Sequence, residues 1–336
     1  MNQPYVSIIT TYYNSVKLGN FVATSMNCLL NQTYRNIEFI CVDDGSTDNT
    51  LLQLYEYASQ DSRIKVFTKE NELYAQYSKA YGQDKATGDF IFLFDHDDTI
   101  ALDCIEKCLE VFTENHDVDI VTPIIKAQST DHVIKYICNL DQYINCEKDY
   151  TFRKISGAVA IKKTVGRYDI HIRGLYRSQT FKNYSYRFNE PLLNADEIVE
   201  RLNFESAKNI ASAPTLYTHY IHLDSSAKKP SIKIIDIVKT DLLLRAIFKE
   251  KNIYQDRSAI FEFTAYRNLI NAAKTFHHFK KNMSTTQKKH HLERLKNSFQ
   301  SLDKQMVLNE YTSLAKIYHK VLLSSFIIFN TYYSYK

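Results

Sequence analysis

The chain of 336 residues has no tryptophan and no Cys-x-x-Cys pair. Its six cysteines are Cys28, Cys41, Cys104, Cys108, Cys138 and Cys146. Cys104 and Cys108 stand four apart on a predicted helix and read as two buried thiols rather than a metal site. Cys28 and Cys41 sit in apolar segments, where cysteine behaves as a small hydrophobe. Reduced thiols fit a cytosolic compartment. No signal peptide is expected, since polar residues lead straight into a strand. No uninterrupted apolar stretch reaches transmembrane length. A cytoplasmic protein is therefore expected. Glycine is scarce, at seven residues, and only Gly19 occurs between Thr10 and Asn20. That excludes the Gly-x-Gly-x-x-Gly of a dinucleotide-binding dehydrogenase. It equally excludes the glycine-rich basic loop of a nucleotidyltransferase. The formal net charge of +4 is too small to imply nucleic acid by itself.

What is present is the composition of an ordinary globular protein, with 44% hydrophobic and 24% charged residues. The 25 tyrosines fit both a codon bias and a surface on which flat or ring-shaped ligands stack. Apolar strands are predicted near Val6–Thr10, Ile37–Val42, Ile64–Phe67, Phe90–Phe94 and Ile120–Thr122. Helical patterns fall between them, near Leu18–Leu30, Thr47–Ser59, Ala75–Ala86 and Cys104–Glu114. Alternating β and α elements imply right-handed crossovers and a mostly parallel α/β sheet. The densest apolar run, Phe90-Ile91-Phe92-Leu93-Phe94, ends in Asp95-His96-Asp97-Asp98. Ligands of open α/β sheets bind where strands end. Clustered anions repel unless a cation sits among them, and hard divalent ions take oxygen ligands with phosphates as co-ligands. Asp-x-Asp here suggests a metal holding a nucleotide diphosphate. The plainer alternative is a polar strand end that starts the next helix.

Further motifs surround this one. Val6 to Asn14 is an apolar strand with a polar end. Asn31-Gln32-Thr33-Tyr34 follows an amphipathic segment. Ile37 to Val42 runs into Asp43-Asp44-Gly45-Ser46-Thr47-Asp48, and Ala86-Thr87-Gly88-Asp89 introduces the acidic strand. In this ordered set the chain closely resembles the family 2 glycosyltransferases of the GT-A fold, well over about the first 125 residues and faintly to about residue 226. The resemblance implies a UDP-sugar donor, its base held at Thr11 and Asp44 with Tyr13 nearby, and Asp43 facing the turn backbone. Lys79 takes the place of the family's arginine near the diphosphate, keeping charge but losing the bidentate fork. Ala80 replaces an asparagine, Gly82 matches, and the glycines before this helix are absent. Asp97 is expected to ligate Mn²⁺ or Mg²⁺, and Asp95 to face the ribose or a metal-bound water. His96 points away, and Asp98 reads as a helix start. The general base falls on Asp196, with Ala195 in place of the family's glutamate and Glu197 as the alternative base. Simple helix capping is the plainer role for Asp196. In the segment Tyr217 to Ser226, His222 is the candidate to complete the metal shell, ahead of His219.

Beyond Thr130 the pattern loosens. Ile155 to Ile161 reads as a strand, Asp196 to Ala207 as a helix and Leu216 to Ile221 as a short β-like run. The basic, tyrosine-rich stretch around Arg173, Arg177, Lys182 and Arg187 suits an acceptor surface or an irregular solvated region. After Lys228-Lys229-Pro230, helices are predicted over Ile232–Lys249, Ala259–Phe279, Lys288–Leu302 and Met306–Phe329. The division expected is a catalytic domain over 1–230 and a helical region over 231–336. The tail carries a nearly unopposed basic run from Lys274 to Lys296 and an apolar run from Val321 to Phe329. It suits the cytoplasmic face of an inner membrane, or packing on the catalytic domain or a second subunit as a homo-oligomer. The function expected is inverting transfer of a hexose or N-acetylhexosamine to an oligosaccharide or lipid-linked glycan. The competing class is a non-catalytic nucleotide-sugar-binding scaffold, suggested by the missing glycines and Ala195.

Overall fold

A computed structural model describes residues 3–72, 74–129, 134–136, 152–166, 173–181, 192–221 and 231–334. The chain divides into two units. The first comprises Met1–Ile161, His171–Asn189 and Val199–Ser225; the second comprises Lys162–Ile170, Glu190–Ile198 and Ser226–Lys336.

The first unit is built on a mixed sheet. Its strands are β1 (Val6–Tyr12), β2 (Ile37–Asp43), β3 (Ile64–Thr68), β4 (Phe90–Asp95), β5 (Thr99–Ile100), β6 (Ile120–Ser129), β7 (Ile134–Tyr136), β8 (Lys154–Ser156), β9 (Leu175–Arg177) and β10 (Asn209–Ile221). The order is β3-β2-β1-β4-β9-β6-β10-β5, with β7 on β6 and β8 on β10. The first four neighbours are parallel, as are β6 and β10. The short strand β9 runs antiparallel to both β4 and β6 and joins these two parallel groups. Between these strands lie the helices α1 (Ser15–Gly19), α2 (Phe21–Leu30), α3 (Thr50–Gln60), α4 (Ala75–Lys85) and α5 (Cys104–Glu114). Residues of β1, β2 and β4 are buried along nearly their whole length, which is why these strands read as continuous apolar runs. Cys41, Cys104 and Cys108 are buried free thiols of this core.

The segment read as a strand from Ile155 to Ile161 folds differently. Only Lys154–Ser156 is a strand, and Gly157–Thr164 forms a helix, α6. Ser156 accepts from the Val159 amide at 3.2 Å, satisfying an otherwise orphaned helix donor. At Gly157 an added Cβ would lie 1.9 Å from the Phe204 carbonyl oxygen, so only glycine permits this approach. The run read as Leu216–Ile221 is the end of the longer β10, whose pairing with β6 slips between Ala213 and Leu216. The helix read over Asp196–Ala207 is present as α7 (Ala195–Ser206).

The second unit is helical over its described residues from Ile237 on. It contains α8 (Ile237–Glu250), α9 (Ser258–Phe279), α10 (Thr285–Ser301), α11 (Lys304–Asn309), α12 (Ser313–Ser324) and α13 (Phe326–Ser334). The single helix expected over Met306–Phe329 is thus divided. Caps explain two of the starts: Asp303 accepts from the Met306 amide at 3.1 Å, and Ser325 from the Ile327 amide at 3.2 Å. The centre of the unit holds an ion pair, Arg245 Nε to Glu262 Oε1 at 2.8 Å, with Tyr254 donating to the same oxygen at 2.6 Å.

Glu38 is a fully buried carboxylate that ties the parallel strands together. It accepts from Ser7 Oγ (2.5 Å) on β1, Lys65 Nζ (2.5 Å) on β3, and the Thr87 amide (2.7 Å) before β4. Burial pushes its carboxyl up, but these donors outweigh burial and the net shift is downward. Removing the carboxylate leaves the Ser7 hydroxyl and the Thr87 amide without their acceptor, while the half-exposed Lys65 turns to water, so Glu38→Ala should cost about 3 kcal/mol. In a unit of this size that lowers the melting temperature by roughly 6–12 °C. Because the folded pKa lies below the unfolded one, the wild-type advantage is full above the ordinary glutamate range. It should vanish as the pH falls through the depressed folded value. Thermal scans of both proteins at neutral and acid pH would check this; a gap between them that stays constant into strong acid contradicts it.

Candidate active site

The ends of β1, β2 and β4 form one edge. Thr11 pairs in register with Asp95 on β4 and Val42 on β2. After β1 the chain turns at Asn14, whose φ of 50° is a left-handed conformation that asparagine tolerates. Asn14 is locked onto the Asp-Asp turn: its amide donates to Ser46 Oγ at 2.9 Å, and its Oδ1 accepts from the Thr47 amide at 2.8 Å. Asp43 faces the turn, accepting from the Ser46 amide at 3.1 Å and from Thr68 Oγ1. Gly45 has a φ of 70°, and its missing Cβ leaves room for the Asn71 amide.

Asp44 is buried. Its amide donates to the Tyr12 carbonyl at 2.8 Å, which fixes it beside the end of β1. Its carboxylate receives Lys69 Nζ at 2.9 Å and Asn71 Nδ2 at 3.2 Å. Tyr13 is 44% exposed, so an apolar ring is open to solvent next to this pair. His96 packs inward: its Nδ1 lies 3.0 Å from the Thr11 carbonyl oxygen, and its ring meets Tyr12 and Phe21.

Asp95 closes β4 between two cations, with Lys79 Nζ at 3.4 Å and Arg173 in direct contact. Burial alone would raise its carboxyl, but Arg173 and Lys79 outweigh this and hold it well below the usual carboxylate range. Asp97 shows the opposite balance. Burial raises it first, and the charges of Asp95 and Asp98 raise it further.

Asp98 is not a helix start. It lies between β4 and β5, and α5 begins only at Cys104. The physical reason is its set of donors, which no local pattern reveals. The fully buried Asp98 carboxylate receives Arg173 Nη1 at 2.6 Å, Tyr217 Oη at 2.7 Å and the Tyr220 amide at 3.0 Å. His219 Nδ1 stands 2.9 Å from it. Arg173 also donates to Tyr217 Oη at 2.9 Å and lies over the Tyr217 ring. The tyrosine hydroxyl stays protonated, its pKa raised by burial first and by the two carboxylates after it.

The site therefore brings together Lys79, Asp95, Asp97 and Asp98 with Arg173, Tyr217 and His219, and sets Thr11 alongside. His222 lies outside the described residues. Asp196 falls in the second unit, in the first turn of α7 and half-buried, with the neighbouring Glu197 buried. Asp98, Tyr217 and the role of Arg173 were missed by sequence reasoning; the only signal was an arginine-bearing stretch of no fixed spacing.

Among the described residues, no three His, Cys, Asp or Glu side chains are arranged to hold a metal. A hard ion that arrives with a diphosphate needs only one or two protein carboxylates. Asp97 fits that role, because burial beside two carboxylates makes its ionised form costly and a divalent cation relieves that cost.

Asp98→Ala should leave the Tyr217 hydroxyl and the Tyr220 amide without their acceptor and Arg173 with Asp95 as its remaining carboxylate, at a cost of about 2–4 kcal/mol. Denaturant titration measures this. A loss below about 1 kcal/mol would show that the cluster rearranges freely without Asp98.

The sequence model described as Glycosyl transferase family 2 matches residues 7–173. An uncharacterized glycosyltransferase of Haemophilus influenzae is 39% identical over 116 residues, 34% of this chain and 45% of that protein. The putative teichuronic acid biosynthesis glycosyltransferase TuaG of Bacillus subtilis is 33% identical over 112 residues, 33% of this chain and 43% of that protein. The chain thus matches less than half the length of these curated relatives. Among solved structures, S. aureus TarS 1-349 in complex with UDP-GlcNAc has a TM-score of 0.62 at 18% identity, over 98% of this chain and 88% of that one. The mannosyltransferase PcManGT of Pyrobaculum calidifontis, in complex with GDP-Man and Mn²⁺, has a TM-score of 0.55 at 14% identity, over 99% and 87%. At such identities these likenesses speak for the GT-A fold alone. The fold, the acidic end of β4 and the match over residues 7–173 agree, and through that segment the chain belongs to glycosyl transferase family 2.

Proposed function

We propose that the chain is an inverting glycosyltransferase that moves a hexose or N-acetylhexosamine from a UDP-sugar to a glycan acceptor. The setting is bacterial surface-glycan synthesis, of a capsule or lipooligosaccharide, at the cytoplasmic face of the inner membrane. The observation that carries this reading is the acidic end of β4, where Asp95 lies between Lys79 and Arg173 at the edge shared with Thr11, and Asp97 feels the charges of Asp95 and Asp98. The UDP-GlcNAc complex of TarS and the name of TuaG support the donor and the setting.

In this mechanism Thr11 and Asp44 hold the base of the donor, with Tyr13 nearby. Asp97 would hold Mn²⁺ or Mg²⁺, with Asp95 facing the ribose or a metal-bound water; such an ion would supply Lewis-acid neutralisation of charge on the departing diphosphate. Lys79 and Arg173 add positive charge at the same strand end. The acceptor hydroxyl attacks the anomeric carbon from the face opposite the diphosphate. A carbon–oxygen bond forms as the sugar–phosphate bond breaks, and the electron pair leaves with UDP. The hydroxyl proton passes to the Asp196 carboxylate. An α-linked donor gives a β-linked product. Asp196 suits this role better than Glu197 because it is half-buried, whereas Glu197 is 1% exposed.

Two measurements test the assignments. Asp97→Ala should abolish the Mn²⁺-dependent part of UDP affinity in calorimetry while leaving the fold intact; unchanged affinity in Mn²⁺ removes Asp97 from the metal. Asp196→Asn keeps the size of the side chain but cannot take the proton. Transfer should fall by roughly 10²–10⁴ while UDP-sugar binding stays near wild type. Near-normal turnover in Asp196→Asn, together with an inactive Glu197→Gln, would move the base to the neighbouring residue.

A further inference from the structure

The apolar end of the chain is divided between core and surface. Leu322, Leu323 and Phe329 are buried, and Phe329 packs on Phe299 and Tyr266. The opposite face of α12 is not covered. Leu314 is 82% exposed, Ile317 64% and Val321 55%. Their spacing of three and four residues places them on one stripe of the helix. Tyr318 edges the same stripe, and α13 adds Ile327, which is 76% exposed. Scattered surface aliphatics need no explanation, but an aligned row on one helix marks a binding face.

Charge selects the occupant. Residues 274–336 carry eleven Lys and Arg against three Asp and Glu, in a chain whose whole net charge is only +4. Lys281, Lys289, Lys296 and Lys320 are exposed, and Lys320 directly precedes Val321. A symmetric contact between two copies sets a patch against itself, so these like charges would face each other. An anionic surface meets both features at once. Reversible membrane attachment takes two signals, a small inserted apolar face and a basic field around it. Among the described residues no helix is long and apolar enough to cross a membrane, so the contact is one that lies on the surface.

We propose that α12 is an interfacial membrane anchor, with Leu314, Ile317 and Val321 inserted among acyl chains and the lysines of the second unit facing anionic headgroups. This deepens the reading of the chain as an enzyme of surface-glycan synthesis, and it rests on that reading for its setting only. The basic run alone does not define the anchor, because its lysines are solvated; the aliphatic stripe of α12 supplies the insertion.

The test uses the full chain and sedimentation with vesicles of phosphatidylcholine alone or mixed with phosphatidylglycerol. The wild type should sediment with the mixed vesicles at low salt, and more weakly as salt screens the headgroups. Ile317→Glu combined with Val321→Glu should weaken this binding at least roughly tenfold. Its melting temperature and UDP affinity should stay unchanged, since both residues are exposed and outside the donor site. Retained UDP binding with lost vesicle binding isolates the anchor from the catalytic reading. Equal sedimentation of the double variant overturns the proposal. So does a wild type that ignores mixed vesicles but forms a dimer which the same variant dissolves in analytical ultracentrifugation, for then the stripe is a subunit contact.

Discussion

Four residues at the end of β4 carry three carboxylates, and much of the first unit is arranged to make that tolerable. A buried carboxylate without a partner costs several kcal/mol, so each anion must find a cation or a set of donors. Asp98 is the one most removed from water, and it draws donors from far along the chain: Arg173 before β9, then Tyr217, His219 and the Tyr220 amide on β10. These bonds hold β10 against the acidic turn and leave β5 paired with it in register at Thr99 and Ile100. Asp95 shares the Arg173 guanidinium and adds Lys79. Asp97 is raised by burial first and then by the charges of Asp95 and Asp98. The balance within the cluster is thus uneven, with the ionised form held at Asp95 and disfavoured at Asp97.

The same logic recurs away from the site. Glu38 is buried beneath the parallel strands, and Glu262 within the helical unit. Each is surrounded by donors from separate elements: Ser7, Lys65 and Thr87 around Glu38; Arg245, Tyr254 and the Asp303 amide around Glu262. A buried ion pair adds little net stability over an apolar equivalent. What each does is fix one arrangement, since any shift in register would strand several donors together. The apolar runs of β1, β2 and β4 drive their burial; the carboxylates decide how they align.

Legibility in the sequence follows from how local each cause is. The strands β1, β2 and β4 are buried on both faces, so their apolar runs stand out, and the turns after them carry their own chemistry in Asn14, Asp43 and Gly45. Asp44, Lys79 and Asp95 were singled out because family motifs place them; the structure sets Lys79 against Asp95 and buries Asp44. Asp98 was misread because Asp before a helical pattern is locally a good cap, and its actual partners lie 75 to 122 residues away. Residues 155–161 were misread because a short apolar run has no decisive period, and the deciding contact is the close approach of Gly157 to the Phe204 carbonyl. The long final helix was misjudged because it breaks after Asn309 and again at Ser325, where a single side-chain cap starts the last helix.

Charge is distributed along the chain in a way that the net value conceals. With eleven of 42 Lys and Arg in the last 63 residues and only three of 38 Asp and Glu, the remainder is net acidic. An acidic body would repel both a diphosphate donor and an anionic membrane. The catalytic unit answers the first problem locally, by setting Lys79 and Arg173 at the strand end where phosphate charge would fall. The helical unit concentrates lysine where carboxylates are nearly absent. Fixed cations beside a buried carboxylate act over a few ångströms and resist salt, whereas solvated lysines act over a Debye length of about 8 Å and do not. The two cationic regions therefore do different work: one is bound into the architecture of the site, and the other is a field that ionic strength can tune.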